Sequence, residues 1–183
     1  MTALDVTLRI GGVFATDREA VIRTVLGSCI SACMYDPVSR VGGMNHFMLP
    51  AQSDTRETTE LTRYGVHAME VLIGAIQRLG GRRDRLLTKL FGGGHVLATT
   101  HSLQSVPSLN IAFIEKFVRD EKLEIVSQDL GGYLARRVHF YPQTGRVLVK
   151  RLGEHAIREL ELEETQVARV SVAPLPSSIT LFD

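Results

Sequence analysis

Glycine is set along this chain in pairs and one triplet, Gly11-Gly12, Gly42-Gly43, Gly80-Gly81, Gly92-Gly93-Gly94 and Gly131-Gly132. That punctuation limits the fold more than any other feature. Each cluster marks a tight turn or a close backbone approach, so the segments between them are short and many short strands are implied. Residues 21–49 are β-rich: Val21 to Leu26, Cys29 to Tyr35, a turn at Asp36-Pro37, then Val41 to Leu49. Together they predict a strand–turn–strand unit. From Arg56 to Leu79 the period becomes helical, with Tyr64, Ala68, Val71, Leu72, Ala75, Ile76 and Leu79 on one face and Gly80-Gly81 as the stop. Asp54-x-x-Glu57 offers a capping box ahead of it.

Beyond the basic surface turn Arg82-Arg-Asp-Arg85, Thr88 to Phe91 and Val96 to Thr99 read as core strands on either side of the glycine triplet. Ser108 is placed to cap a second helix running to about Lys122. There Ala112 or Phe113, Phe117, Val118 and Glu121 recur at helical spacing, and the apolar face is expected to pack on a sheet. Leu134 to Leu152 alternates Val138 and Phe140 against Arg137, His139 and Tyr141, turns at Pro142 to Gly145 and continues as Arg146 to Lys150, a hairpin. After Gly153 the chain becomes acidic around Glu159 to Glu164 and then runs through Ala173-Pro-Leu-Pro-Ser-Ser178. Residues 154–183 are therefore expected to form a weakly tied extension to a domain spanning 1–153.

With 183 residues, 44% of them hydrophobic and 22% charged, the chain suits one compact domain with its own core. Lys+Arg number 21 against 20 Asp+Glu, a net charge of +1, which argues against nucleic acid or an anionic membrane surface as the leading partner. No apolar run approaches the ~20 residues that span a bilayer, and no basic segment precedes a hydrophobic one at the N-terminus, so a cytoplasmic location is expected. The only cysteines are Cys29 and Cys33, too few for a disulfide scaffold and compatible with reduced thiols.

Cys29 follows Leu26-Gly27-Ser28 at the start of a β run. Loop amides around its sulfur would lower the thiol pKa below ~8.5, and the same amides could hold an oxyanion. Taken alone, Cys29 reads more commonly as a small buried apolar residue. His46, inside Gly43-Met-Asn-His-Phe-Met-Leu-Pro50, lies in a strand expected beside the one starting at Cys29. Its imidazole could take the thiol proton and return it to a leaving amine; the plainer reading is a half-buried histidine satisfied by backbone. Cys33 would face the same side as Cys29 but roughly 13 Å along the strand, too far to pair directly. Cys29-x3-Cys33 with His95-x5-His101 meets zinc spacing only loosely, with about sixty residues between the pairs, so no metal site is assigned. His67, His139 and His155 read as surface or interface residues. The glycine triplet lacks the Lys-Ser or Lys-Thr of a phosphate loop and reads as a tight turn beside the core or the reactive site. Arg82, Arg83 and Arg85 read as a solvated loop or as a docking patch for an acidic partner.

Thr24-Val-Leu-Gly-Ser-Cys-Ile-Ser-Ala-Cys-Met-Tyr-Asp-Pro37 and Val41-Gly-Gly-Met-Asn-His-Phe-Met-Leu-Pro50 resemble the nucleophile and histidine motifs of the CheD family of bacterial chemotaxis, the chemoreceptor glutamine deamidases. Lys89-Leu-Phe-Gly-Gly-Gly94, Asn110, Asp129-Leu-Gly-Gly132 and the Arg137 to Lys150 hairpin resemble further family landmarks, so the likeness covers residues 5–152. The resemblance implies an α+β fold of layered β-sheets flanked by helices, similar to the cytotoxic necrotizing factor toxins. It carries the nucleophile to Cys29, the base to His46 and the oxyanion loop to Gly27 and Ser28. The family's third catalytic member, a threonine that orients the histidine, is carried to Thr24 if the loop is one residue shorter here; an ungapped count reaches Arg23, which could not play the same accepting role. The implied function is hydrolysis of receptor glutamine side chains to glutamate through a cysteine thioester, with no cofactor and with chemoreceptor cytoplasmic domains as substrate. The alternative is a non-catalytic module that binds chemoreceptors or a CheC-type phosphatase.

Overall fold

A computed structural model of the chain describes residues 3–49, 58–96 and 105–153. In chain order its elements are β1 (Leu4–Thr7), β2 (Val13–Thr16), β3 (Ala20–Leu26), β4 (Ile30–Asp36), β5 (Val41–Asn45), α1 (Thr58–Arg78), a 3-10 turn (Arg83–Arg85), β6 (Leu87–Gly92), α2 (Val106–Asp120), β7 (Glu124–Leu130), β8 (Ala135–Tyr141) and β9 (Arg146–Leu152). The strands form two sheets, one of four strands in the order β1-β3-β8-β9 and one of five in the order β2-β5-β4-β6-β7. The fold is therefore α+β and layered, as expected.

Two cores separate three layers. Ile30, Ala32 and Met34 of β4 pack with Met69, Leu72, Ile73 and Ile76 of α1 and with Ile114, Phe117 and Val118 of α2. On the opposite face, Cys29 and Cys33 pack with Ile22 and Leu26 of β3 and with Val138 and Phe140 of β8. Strand β4 is thus buried on both faces, which is why it reads as a nearly continuous apolar run rather than an alternating one. The β8–β9 hairpin alternates as its sequence predicts, with Val138 and Phe140 buried and Arg137 exposed.

Four expectations need correction. The buried stripe of α1 is Gly65, Met69, Leu72, Ile73 and Ile76, whereas Tyr64 and Leu79 are exposed. The stripe is rotated because Gly65 faces the Phe113 ring, where a side chain would clash, and so brings α1 against α2. The N-cap of α2 is Ser105, with Pro107 in the first turn, rather than Ser108. Val96 lies outside any strand. Finally, β3 does not join the β4–β5 hairpin but crosses to the other sheet, and that crossing lays Thr24 over His46. The capping box at Asp54 and Glu57, residues 97–99 of the short β run, His101, His155 and the extension 154–183 lie outside the described residues.

The Arg82–Arg85 run is tied down: Arg82 pairs with Asp84, Arg83 bridges Glu70 and Glu121, and Arg85 reaches the buried Asp36. Neither cysteine is disulfide-bonded. No described helix is long and apolar enough to cross a membrane.

Candidate active site

The residues singled out from the sequence converge between the two sheets. Cys33 pairs with Met44 across β4 and β5, and Ile30 bridges Phe47 just beyond the strand ends. The same register sets Ser31 opposite His46 and Cys29 opposite Met48. Cys29 and His46 therefore lie on one face as diagonal cross-strand neighbours, a relation that separates Cα atoms by roughly 7–8 Å and leaves long side chains in reach. Both are buried, Cys29 at 1% and His46 at 4% exposure.

Thr24 meets His46 from the opposing sheet. Its Oγ1 lies 2.8 Å from His46 Nδ1 and donates to the Leu8 carbonyl at 2.9 Å. A hydroxyl has one proton, and Leu8 takes it, so Thr24 must accept from His46. Nδ1 then carries the imidazole hydrogen and Nε2 presents its lone pair. That Nε2 is buried without a hydrogen-bond partner among the described residues. Burial pushes the His46 pKa down to about 4, against the opposing pull of the Leu8 carbonyl, so the ring is neutral at physiological pH. The backbone of His46 is clamped as well: its carbonyl accepts from Gly11 N–H at 2.7 Å and its N–H donates to the Gly12 carbonyl at 2.9 Å. Arg23, the other upstream candidate, forms an ion pair with Asp5.

The Gly27-Ser28-Cys29 loop is held from outside at three successive carbonyls. Gly94 N–H donates to Gly27, Asn110 Nδ2 to Ser28 and Gly93 N–H to Cys29, each at 2.8 Å. The glycine triplet is thus a brace for the cysteine loop. A Cβ on Gly92, which has φ +115°, would sit 2.0 Å from the Cys29 carbonyl oxygen. Behind the brace, the buried Arg136 guanidinium donates to the carbonyls of Gly92, Asp129 and Gly131. Cys33, on the same face as Cys29, is fully buried, and burial pushes its thiol pKa up, which keeps it protonated and unreactive.

Some participants carried little or no sequence signal. The Leu8 carbonyl and the Gly11 and Gly12 backbone act through main-chain atoms that any residue could supply. Asn110 stood out only as a landmark; its partners Ser28 and Leu49 are 82 and 61 residues away. Arg136 was hidden because a basic residue in an alternating strand reads as exposed, yet it is 2% exposed.

The family model described as CheD chemotactic sensory transduction matches residues 48–151. A protein of Methylobacillus flagellatus named "Probable chemoreceptor glutamine deamidase CheD" is 42% identical over 176 residues, covering 94% of this chain and 86% of its own. The protein of that name from Hydrogenovibrio crunogenus is also 42% identical, covering 94% and 91%. One from Caulobacter vibrioides is 51% identical over 131 residues, covering 72% and 68%. With the family match and relatives spanning nearly its whole length, this chain belongs to the CheD family.

Proposed function

We propose that this chain is a chemoreceptor glutamine deamidase, hydrolysing selected glutamine side chains to glutamate through a thioester on Cys29. The observation that carries the reading is the Thr24–His46 hydrogen bond, which leaves a buried Nε2 presenting its lone pair on the face that Cys29 shares. His46 Nε2 takes the Cys29 proton, and the thiolate adds to the carboxamide carbon. The Ser28 and Cys29 amides of the braced loop hold the resulting oxyanion. Collapse breaks the C–N bond; imidazolium gives its proton to the departing nitrogen, and ammonia leaves a glutamyl thioester. Water then adds, its proton passing to His46, and glutamate departs as Cys29 recovers its proton.

The name borne by relatives that this chain matches nearly end to end supports chemoreceptors as the substrate. A cytoplasmic location, a catalytic domain spanning 1–153 and a CheC-type phosphatase partner belong to the same proposal. The test is incubation with a purified chemoreceptor cytoplasmic fragment, with glutamine-to-glutamate conversion mapped by mass spectrometry. A pull-down with the phosphatase tests the partner separately.

A further inference from the structure

We propose that Asn110 is a positioning residue that aims the Cys29 backbone N–H at the oxyanion. The inference rests on the deamidase reading above and assigns a residue to that same site. Asn110 sits in the second turn of α2, is fully buried, and uses both ends of its amide. Nδ2 donates to the Ser28 carbonyl at 2.8 Å, while Oδ1 accepts from the Leu49 N–H at 2.9 Å. One side chain therefore ties the loop before Cys29 to the segment after His46.

The Ser28 carbonyl and the Cys29 N–H belong to one peptide unit, and that unit is trans. In a trans peptide the C=O and N–H point in opposite directions across a plane that resists rotation. Pinning the Ser28 oxygen on the α2 side thus fixes the direction of the Cys29 N–H. A donor on the carbonyl also polarises the peptide and strengthens its N–H as a donor.

Asn110→Asp is nearly isosteric and separates the two bonds: it still accepts from Leu49 and no longer donates to Ser28. With a chemoreceptor fragment as substrate, kcat falls about 100-fold, the scale of losing an oxyanion donor, while KM stays within about twofold. Alkylation of Cys29 by iodoacetamide passes through no oxyanion, so its limiting rate at high pH, where the thiol is fully ionised, stays near wild type. Asn110→Ala, which removes both bonds, shows the same division between kcat and alkylation. Ile114→Ala, one turn along α2 in the apolar core, serves as the structural control: it lowers the melting temperature and leaves the kcat of the folded protein unchanged.

An Asn110→Asp kcat within threefold of wild type overturns the inference. So does a parallel fall of kcat and alkylation, or the failure of both Asn110 variants to fold, since either assigns Asn110 to structure alone. A wild-type chain that converts no glutamine refutes the deamidase reading instead, which separates the two failures.

Discussion

Replacing Thr24 with valine keeps the shape of the side chain and deletes one hydroxyl, so it isolates what that hydroxyl does for His46. Two buried bonds disappear, the one accepted from Nδ1–H at 2.8 Å and the one donated to Leu8 at 2.9 Å. Each is worth ~1 kcal/mol net, and each stranded partner adds a desolvation penalty, so unfolding free energy falls by about 2–4 kcal/mol. The catalytic effect is distinct. Without Thr24 the acceptor that holds the Nδ1–H tautomer is lost, and a bias of ~1.4 kcal/mol corresponds to a tenfold loss of the reactive form. Looser ring orientation takes the expected fall in kcat to between about 10- and 100-fold, short of the roughly 10²–10⁴-fold expected on removing the base altogether. The assay is the initial rate of ammonia release from a receptor fragment under conditions where the variant is folded. Thr24→Ser, which keeps the hydroxyl, recovers most of the rate. A Thr24→Val protein retaining more than half of wild-type kcat would refute the tautomer argument.

Three further outcomes follow from the same geometry. His46 is held near a pKa of about 4 against an ordinary 6.5, so the unfolded chain binds the proton more readily; stability is complete above pH 6.5 and declines by up to about 3 kcal/mol as pH falls toward 4, and chemical denaturation of His46→Leu against wild type across that window shows whether the slope vanishes. Asp36 is fully buried and, although burial opposes it, the amides of Arg82 and Val38 hold its carboxylate well below the usual range; Asp36→Asn is expected to lose about 2–4 kcal/mol in urea unfolding while the kcat of the folded protein stays the same. Gly92→Ala is expected to cost more than 2 kcal/mol and to lower kcat, because its Cβ would strike the Cys29 carbonyl, whereas Gly80→Ala, also at positive φ but facing open space, costs only about 1 kcal/mol of backbone strain and spares activity.

What could be read from the sequence depended on how directly each residue's task shows in its neighbours. The β8–β9 hairpin was legible because one face meets the core and the other meets solvent, which writes a period of two into Val138, His139 and Phe140. Helix α1 was legible as a helix and its buried face in part, with Leu72 and Ile76 buried but Tyr64 and Leu79 exposed, since the contact that sets the face is Gly65 against Phe113 on a helix far along the chain. Strands β1 and β2 are four residues each, too short to establish a period, and β7 is an edge strand largely exposed along its length. The positions of Cys29 and His46 stood out as motifs. Their relation to Thr24 depends on β3 crossing into the second sheet, a long-range event with no local signal.

The central claim is that Cys29 attacks a receptor glutamine with His46 as its base. Its most direct test traps the intermediate: wild-type protein is mixed with a chemoreceptor cytoplasmic fragment, quenched in acid and analysed by intact-mass spectrometry beside Cys29→Ala. The account predicts a wild-type adduct heavier by the receptor fragment less ammonia, labile to hydroxylamine, together with glutamate at the modified positions, and neither product with Cys29→Ala. Glutamine conversion by a folded Cys29→Ala protein would contradict it.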